Sequence, residues 1–173
     1  MREDRADGED VRLQQDLLSR TALTVFRLNG QFLSVADGLA RPGGLTAAWW
    51  QVLGAVLREP LPVAGIARSM GITRQSVQRI ADLLVGRGLA EYVPNPAHRR
   101  AKLLRPTAAG REAVALIEPS HAEFAARLVA ELGTEEAADT VRVLERLSEA
   151  VDRLTTPDGP DAGGGTGSRE DVS

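Results

Sequence analysis

The stretch VAGIARSMGITRQSVQRIADLL, residues 63–84, decides the fold. Val63, Ile66 and Ala67 recur at helical steps, and so do Val77, Ile80, Ala81 and Leu84. Between the two apolar sets lies Gly71-Ile72, a tight turn, and then Thr73, whose hydroxyl suits the N-cap of the second helix. Two short helices with facing apolar sides and a three-residue turn make a helix-turn-helix. With Val77, Ile80, Ala81 and Leu84 buried at 100° per residue, Gln75 and Arg79 point most directly outward, and Gln78 and Asp82 lie beside them. Thr73, Arg74 and Ser76 occupy the start of the same helix. Arginine suits guanine, glutamine suits adenine and serine suits either, so this face is chemically equipped to read base edges.

Downstream, Gly88 is a left-handed stop for the fourth helix, Arg74 to about Gly86. Two strand-like runs follow, Leu89–Val93 and Ala101–Arg105, joined by the polar loop Pro94-Asn-Pro-Ala-His98-Arg99-Arg100. This hairpin carries His98, Arg99, Arg100 and Lys102 at or near its tip, where a guanidinium can clamp phosphates or enter a narrow minor groove. Helix-turn-helix plus basic hairpin is a winged helix.

Upstream, Leu18, Ala22, Val25, Phe32 and Ala36 give a helix over Asp10–Asp37, broken by Arg41-Pro42-Gly43-Gly44. Thr46 is the expected cap of a second helix reaching about Arg58, with Trp49, Val52, Leu53 and Val56 inward and Trp50 on the flank. Pro60-Leu61-Pro62 puts a proline at the first position of a third helix, Val63–Met70. After the hairpin, a long helix from Thr107 to about Leu132 is expected to bend at Pro119. Thr134 with Glu135-Glu136 is the expected cap of a last helix, whose apolar face is Val141, Leu144, Leu147, Val151 and Leu154. Residues 1–9 are expected to be disordered, as is the tail 155–173, where Gly163–Ser168 reads as linker because no lysine follows it.

Charge is distributed unevenly. Residues 61–111 hold nine cations (Arg68, Arg74, Arg79, Arg87, Arg99, Arg100, Lys102, Arg105, Arg111) and only Asp82 and Glu91 as anions. That is +7 inside a chain of net charge −3, so the flanks carry −10. Such a middle is the footprint of a surface that meets a polyanion. Twenty of the 21 basic residues are arginine, a bias that GC-rich coding accounts for without any function.

Residues Leu45–Gly110 resemble the MarR family of bacterial transcription regulators. The resemblance rests on Leu45-Thr46 with Trp50 and Leu53, then Ile66-Ala67 and Gly71-Ile72-Thr73-Arg74-Gln75-Ser76-Val77. Leu83-Leu84, Arg87-Gly88-Leu89, Arg99-Arg100-Ala101-Lys102-Leu103 and Thr107-Ala108-Ala109-Gly110 complete it. With the flanking helices it covers about residues 10–154, one domain. Residues 10–38 and 107–154 would be dimerisation helices and residues 45–106 the winged helix-turn-helix. The implied fold is mostly α with a small β-hairpin wing, a winged helix-turn-helix inside a helical dimerisation domain. The resemblance implies a homodimer, a repressor released by a small ligand, and double-stranded DNA with an inverted repeat as partner. It also implies a ligand pocket, for which Phe26, Phe32, Trp49 and Trp50 could form an apolar wall for an apolar or aromatic effector. One position departs from the pattern: the family's wing usually has an aspartate two residues before the minor-groove arginine, and here His98 precedes Arg100.

Other classes fare worse. A winged helix that contacts only protein needs no basic face. An enzyme needs a nucleophile–base pair or a metal cluster, and the chain has no cysteine, two histidines and no Gly-x-Ser-x-Gly elbow. No catalytic residue, metal ligand or cofactor is expected, and His121 reads as part of a solvated face. The absence of cysteine excludes direct thiol sensing of peroxide. No apolar run is long enough to span a membrane, so a cytoplasmic protein is expected, nucleoid-associated when bound.

Overall fold

The computed structural model describes residues 3–98 and 100–155. Along the chain lie α1 (Glu3–Ala40), a single 3-10 turn (Arg41–Gly43), α2 (Ala47–Ala55), β1 (Leu61–Pro62), α3 (Val63–Met70) and α4 (Arg74–Gly86). Then come β2 (Ala90–Val93), β3 (Leu103–Pro106), α5 (Ala108–Ala115), α6 (Glu118–Leu132) and α7 (Thr134–Thr155). Contacts divide the chain into two compact units at Phe124–Ala125.

In the first unit three threonines start three helices. Thr46 Oγ1 accepts from the Trp49 amide (3.3 Å), Thr73 Oγ1 from the Ser76 amide (3.2 Å) and Thr107 Oγ1 from the Gly110 amide (3.1 Å). Each satisfies a donor that the first helical turn leaves without a partner. Asp37 adds a link between helices: its Oδ1 accepts from the Ala47 amide at 2.7 Å, tying α1 to the start of α2. Gly71 and Gly88 both take left-handed backbone, with φ of 64° and 72°, and close the ends of α3 and α4 as their positions require.

The sheet runs in the order β1-β3-β2, all antiparallel. Tyr92 lies opposite Leu104, Val93 opposite Leu103 and Glu91 opposite Arg105. The hairpin thus gains a third strand that its sequence hides, because a run holding two prolines does not read as strand. Leu61–Pro62 pairs as an edge strand, where a missing N–H costs no ladder bond. Leu53, Ile66, Leu84, Leu104 and Ile117 are fully buried in one core joining α2, α3, α4, β3 and the segment after α5.

Several boundaries differ from expectation. The first helix starts at Glu3, so residues 3–9 continue it instead of fraying; propagation onto a formed helix needs no apolar stripe. α2 ends at Ala55, not Arg58, because Val56 turns into the core and Pro60 pushes Glu59 out of the helical region. The strands cover Ala90–Val93 and Leu103–Pro106 instead of Leu89–Val93 and Ala101–Arg105. The long helix breaks rather than bends. α5 stops at Ala115, Ile117 is buried, and Pro119 sits in the first turn of α6, where its missing N–H has no helical partner to lose. Thr134 is the first residue of α7 rather than its cap, and the preceding Gly133 has φ 87°. Of the expected disordered tail, Thr155 is helical and residues 156–173 lie outside the described residues.

Gly110 shows how tightly α5 is seated. Thr107 donates through its amide to the Leu89 carbonyl (3.1 Å) and through its hydroxyl to the Gly88 carbonyl (2.7 Å). A Cβ at Gly110 would run into that same Leu89 carbonyl oxygen, which is backbone and cannot swing aside. Gly110→Ala is therefore expected to destabilise by about 1–3 kcal/mol, read as a lower denaturant midpoint at unchanged slope. Gly54→Ala is the control: it meets open space in α2 and should be neutral or stabilising by up to about 1 kcal/mol.

Candidate nucleic-acid interface

Burial of Val77, Ala81 and Leu84 sets the rotation of α4 about its axis. As a consequence Thr73, Arg74, Gln75, Ser76, Arg79 and Asp82 are exposed, and Arg74, Gln75, Gln78, Arg79, Asp82 and Leu83 line one open groove along the helix. Thr73 Oγ1 also lies 2.8 Å from Ser76 Oγ, so both hydroxyls are partly committed to the helix start.

The wing adds a second set of cations. Arg74, Arg100 and Lys102 line a cleft shared with Tyr92 and the start of α3. Arg100 is exposed and has no bonded partner among the described residues. Lys102 is likewise exposed, whereas Arg99 lies outside the described residues. His98 is exposed in the turn, its amide donating to the Asn95 carbonyl (3.3 Å) and its carbonyl accepting from the Ala101 amide (3.1 Å). Asn95 Oδ1 accepts from the Ala97 amide at 3.0 Å, which tightens the same turn. Arg105 is spent on Glu91 across the strands (2.9 Å), a partly exposed pair that neutralises one cation of the basic segment.

Gln78 is placed differently from its neighbours. It is half-buried, and its Nε2 donates to Asp82 Oδ1 (2.9 Å) and to the Tyr92 hydroxyl (2.8 Å). Tyr92 in turn donates to Asp82 Oδ1 at 2.8 Å, closing a triangle between α4 and β2. Sequence reasoning found Gln78 but not Tyr92, because nothing in the strand pattern reports a hydroxyl reaching a helix 14 positions upstream. Burial and the neighbouring Asp82 carboxylate push the Tyr92 hydroxyl from 10.0 up to about 12.

The four aromatics expected to form a ligand wall do not come together in this chain. Phe26 and Phe32 are 71% and 54% exposed on α1, and six residues of helix turn them to different sides. Trp49 lies under the Arg87 guanidinium, 4.4 Å from ring centre to carbon, and Trp50 meets the exposed His121 edge-to-face at 5.3 Å. The tryptophans act as partly buried packing, which a helical stripe cannot distinguish from a pocket wall.

The sequence profile of the MarR family matches residues 43–101, from the 3-10 turn to the wing. The chain belongs to the MarR family. Over 102 residues it is 41% identical to the uncharacterized protein Rv2011c of Mycobacterium tuberculosis (strain ATCC 25618 / H37Rv), covering 59% of this chain and 71% of that protein. Among solved structures it is similar to the M. tuberculosis regulator MosR in complex with DNA, with TM-score 0.67, 23% identity and coverage of 78% and 98%. It is also similar to the transcriptional repressor CouR bound to a 23-mer DNA duplex, with TM-score 0.64, 26% identity and coverage of 72% and 89%. The fold is also that of the MarR family transcription regulator SP03579, with TM-score 0.67, 18% identity and coverage of 84% and 97%.

Tyr92 is the single tyrosine, so its ionisation can be followed by absorbance without assignment. The folded protein should titrate near pH 12 and the unfolded chain near 10. Between these values the folded state holds the extra proton, so the stability due to this group is complete below about pH 10 and lost as pH rises through 12. A folded-state midpoint at 10 would show that the triangle does not form.

Proposed function

We propose that this MarR-family regulator binds double-stranded DNA as a homodimer on an inverted repeat and acts as a ligand-responsive repressor in the bacterial cytoplasm. The observation that carries the reading is the shared exposure of Arg74, Gln75, Ser76 and Arg79 along α4, with Arg100 and Lys102 on the wing beside Arg74. In this arrangement α4 enters the major groove with its N-terminal turns deepest. Gln75 and Arg79 read bases, while Lys102 and Arg99 hold phosphate. Among the described residues no carboxylate orients Arg100, which senses minor-groove width by charge.

Dimerisation follows from the apolar side chains left in water. On α1, Leu13, Leu17, Leu18, Leu23 and Phe26 are each more than half exposed, and Leu18 reaches 69%. On α7, Val141 and Val143 are more than half exposed, with Leu144 and Val151 close behind and Leu154 at 87%. A two-fold dimer is the usual way to cover surfaces of this size. Release by a small apolar or aromatic ligand belongs to the same reading. Of the aromatics expected to serve it, Trp49 and Trp50 are already engaged, which leaves Phe26 and Phe32.

Two measurements test this. Light scattering at micromolar concentration should give the mass of two chains, and a single-chain mass contradicts the dimer. In titrations on specific and scrambled duplexes, Gln75→Ala and Arg79→Ala should each cost about 1–3 kcal/mol on the specific site and much less on the scrambled one. Lys102→Ala should weaken both alike and lower the salt slope by about 1. Equal losses on both duplexes for Gln75→Ala would mean that α4 does not read sequence.

A further inference from the structure

The triangle of Gln78, Asp82 and Tyr92 changes what Gln78 can say to a base. Pairing with adenine takes both ends of a glutamine amide: Nε2–H to N7, and Oε1 accepting from the N6 amine. Here the nitrogen end is held between two acceptors. Asp82 as a carboxylate can only accept, so Nε2 and not Oε1 must face it, which fixes the orientation of the amide. Tyr92 gives its one proton to the same Oδ1 and therefore meets Gln78 as an acceptor. Every donor–acceptor relation in the triangle is then determined, and among the described residues no donor reaches Oε1.

We propose that Tyr92 and Asp82 are positioning residues that bias base choice at one step of each half-site, by withholding the Gln78 amide nitrogen and leaving only its carbonyl oxygen for the groove. Gln78 then accepts from an exocyclic amine, on cytosine or adenine, and does not discriminate between them as a bidentate contact would. The wing strand thereby sets the specificity of the recognition helix without touching DNA, and the two bonds made by Tyr92 hold β2 against α4. The inference rests on the DNA-binding reading above, and the experiment separates the two failures.

Tyr92→Phe keeps the ring and removes the hydroxyl, freeing one of the two amide N–H groups, enough for adenine N7, while the other stays on Asp82. Selection from duplexes with randomised half-sites, run on the parent and on Tyr92→Phe, should show tolerance of cytosine or adenine at one position for the parent. The variant should shift toward adenine at that position by at least about fivefold, the gain expected of a completed bidentate contact. Affinity for scrambled DNA and the salt slope should not move, since no cation changes. In Tyr92→Phe combined with Gln78→Ala the shift must vanish. If Tyr92→Phe does not fold, Asp82→Ala is the second route: Asp82 is exposed, and its loss frees the other N–H of the same nitrogen, so a shift in the same direction is expected. Unchanged base preference in the folded variant overturns the proposal. So does parallel loss on specific and scrambled DNA, which marks a purely structural role, or a shift that persists without Gln78. A parent that enriches no sequence overturns the DNA-binding reading, and this inference with it.

Discussion

The apolar seam that buries Val77, Ala81 and Leu84 of α4 beside Ile66 and Ala67 of α3 is the constraint on which the rest of the structure depends. It fixes the rotation of α4 about its own axis. A half turn in that phase would bury Arg79 or Gln75 and expose the core residues, at a cost of several kcal/mol for an unpaired charge or a lost side-chain burial. With the phase set, the polar face is no longer a choice. It must point outward, and β2 and β3 must pack where Leu84 and Leu104 can share the core. The wing cations then fall beside Arg74 through strand register, not through any attraction between like charges.

Charge in the basic segment is shaped by how its two acids are held. Glu91 is paired with Arg105, and Asp82 accepts from Tyr92 and Gln78. Glu91 is neutralised by its partner, while Asp82, bonded only to neutral donors, is fixed in place but keeps its charge. The exposed cations Arg74, Arg79, Arg100 and Lys102 have no acidic partner among the described residues and keep their charge for an approaching polyanion. The same placement explains a cost that the fold accepts, because only solvent screening and the spread between helix and wing moderate their mutual repulsion in the free protein.

Much of this was legible in the sequence because the signals were local. The threonine caps at 46, 73 and 107 and the glycine stops at 71 and 88 each report a single turn of backbone, and periodicity reports which side of α4 is wet. What stayed hidden depends on partners far along the chain. Leu61–Pro62 becomes strand only because β3, some forty residues later, offers an edge. The break before Pro119 needs Ile117 to find the core, and Gln78 leaves the set of free readers only because Tyr92 arrives across the interface between helix and wing. The surroundings of the tryptophans were hidden for the same reason: spacing along a helix does not say that Trp49 will meet Arg87 or that Trp50 will meet His121.

The central claim is that the exposed face of α4 lies in the major groove of both halves of a two-fold site. Because the chain has no cysteine, Leu83→Cys, exposed beside the readers on α4 but not one of them, creates a unique attachment point for a DNA-cleaving metal chelate. With the tethered protein bound to its selected duplex, the account predicts two clusters of cuts related by two-fold symmetry. Their centres should lie about one helical turn, roughly 10–10.5 bp, apart or a multiple of it. A single cluster, or cuts scattered evenly along the duplex, would contradict it.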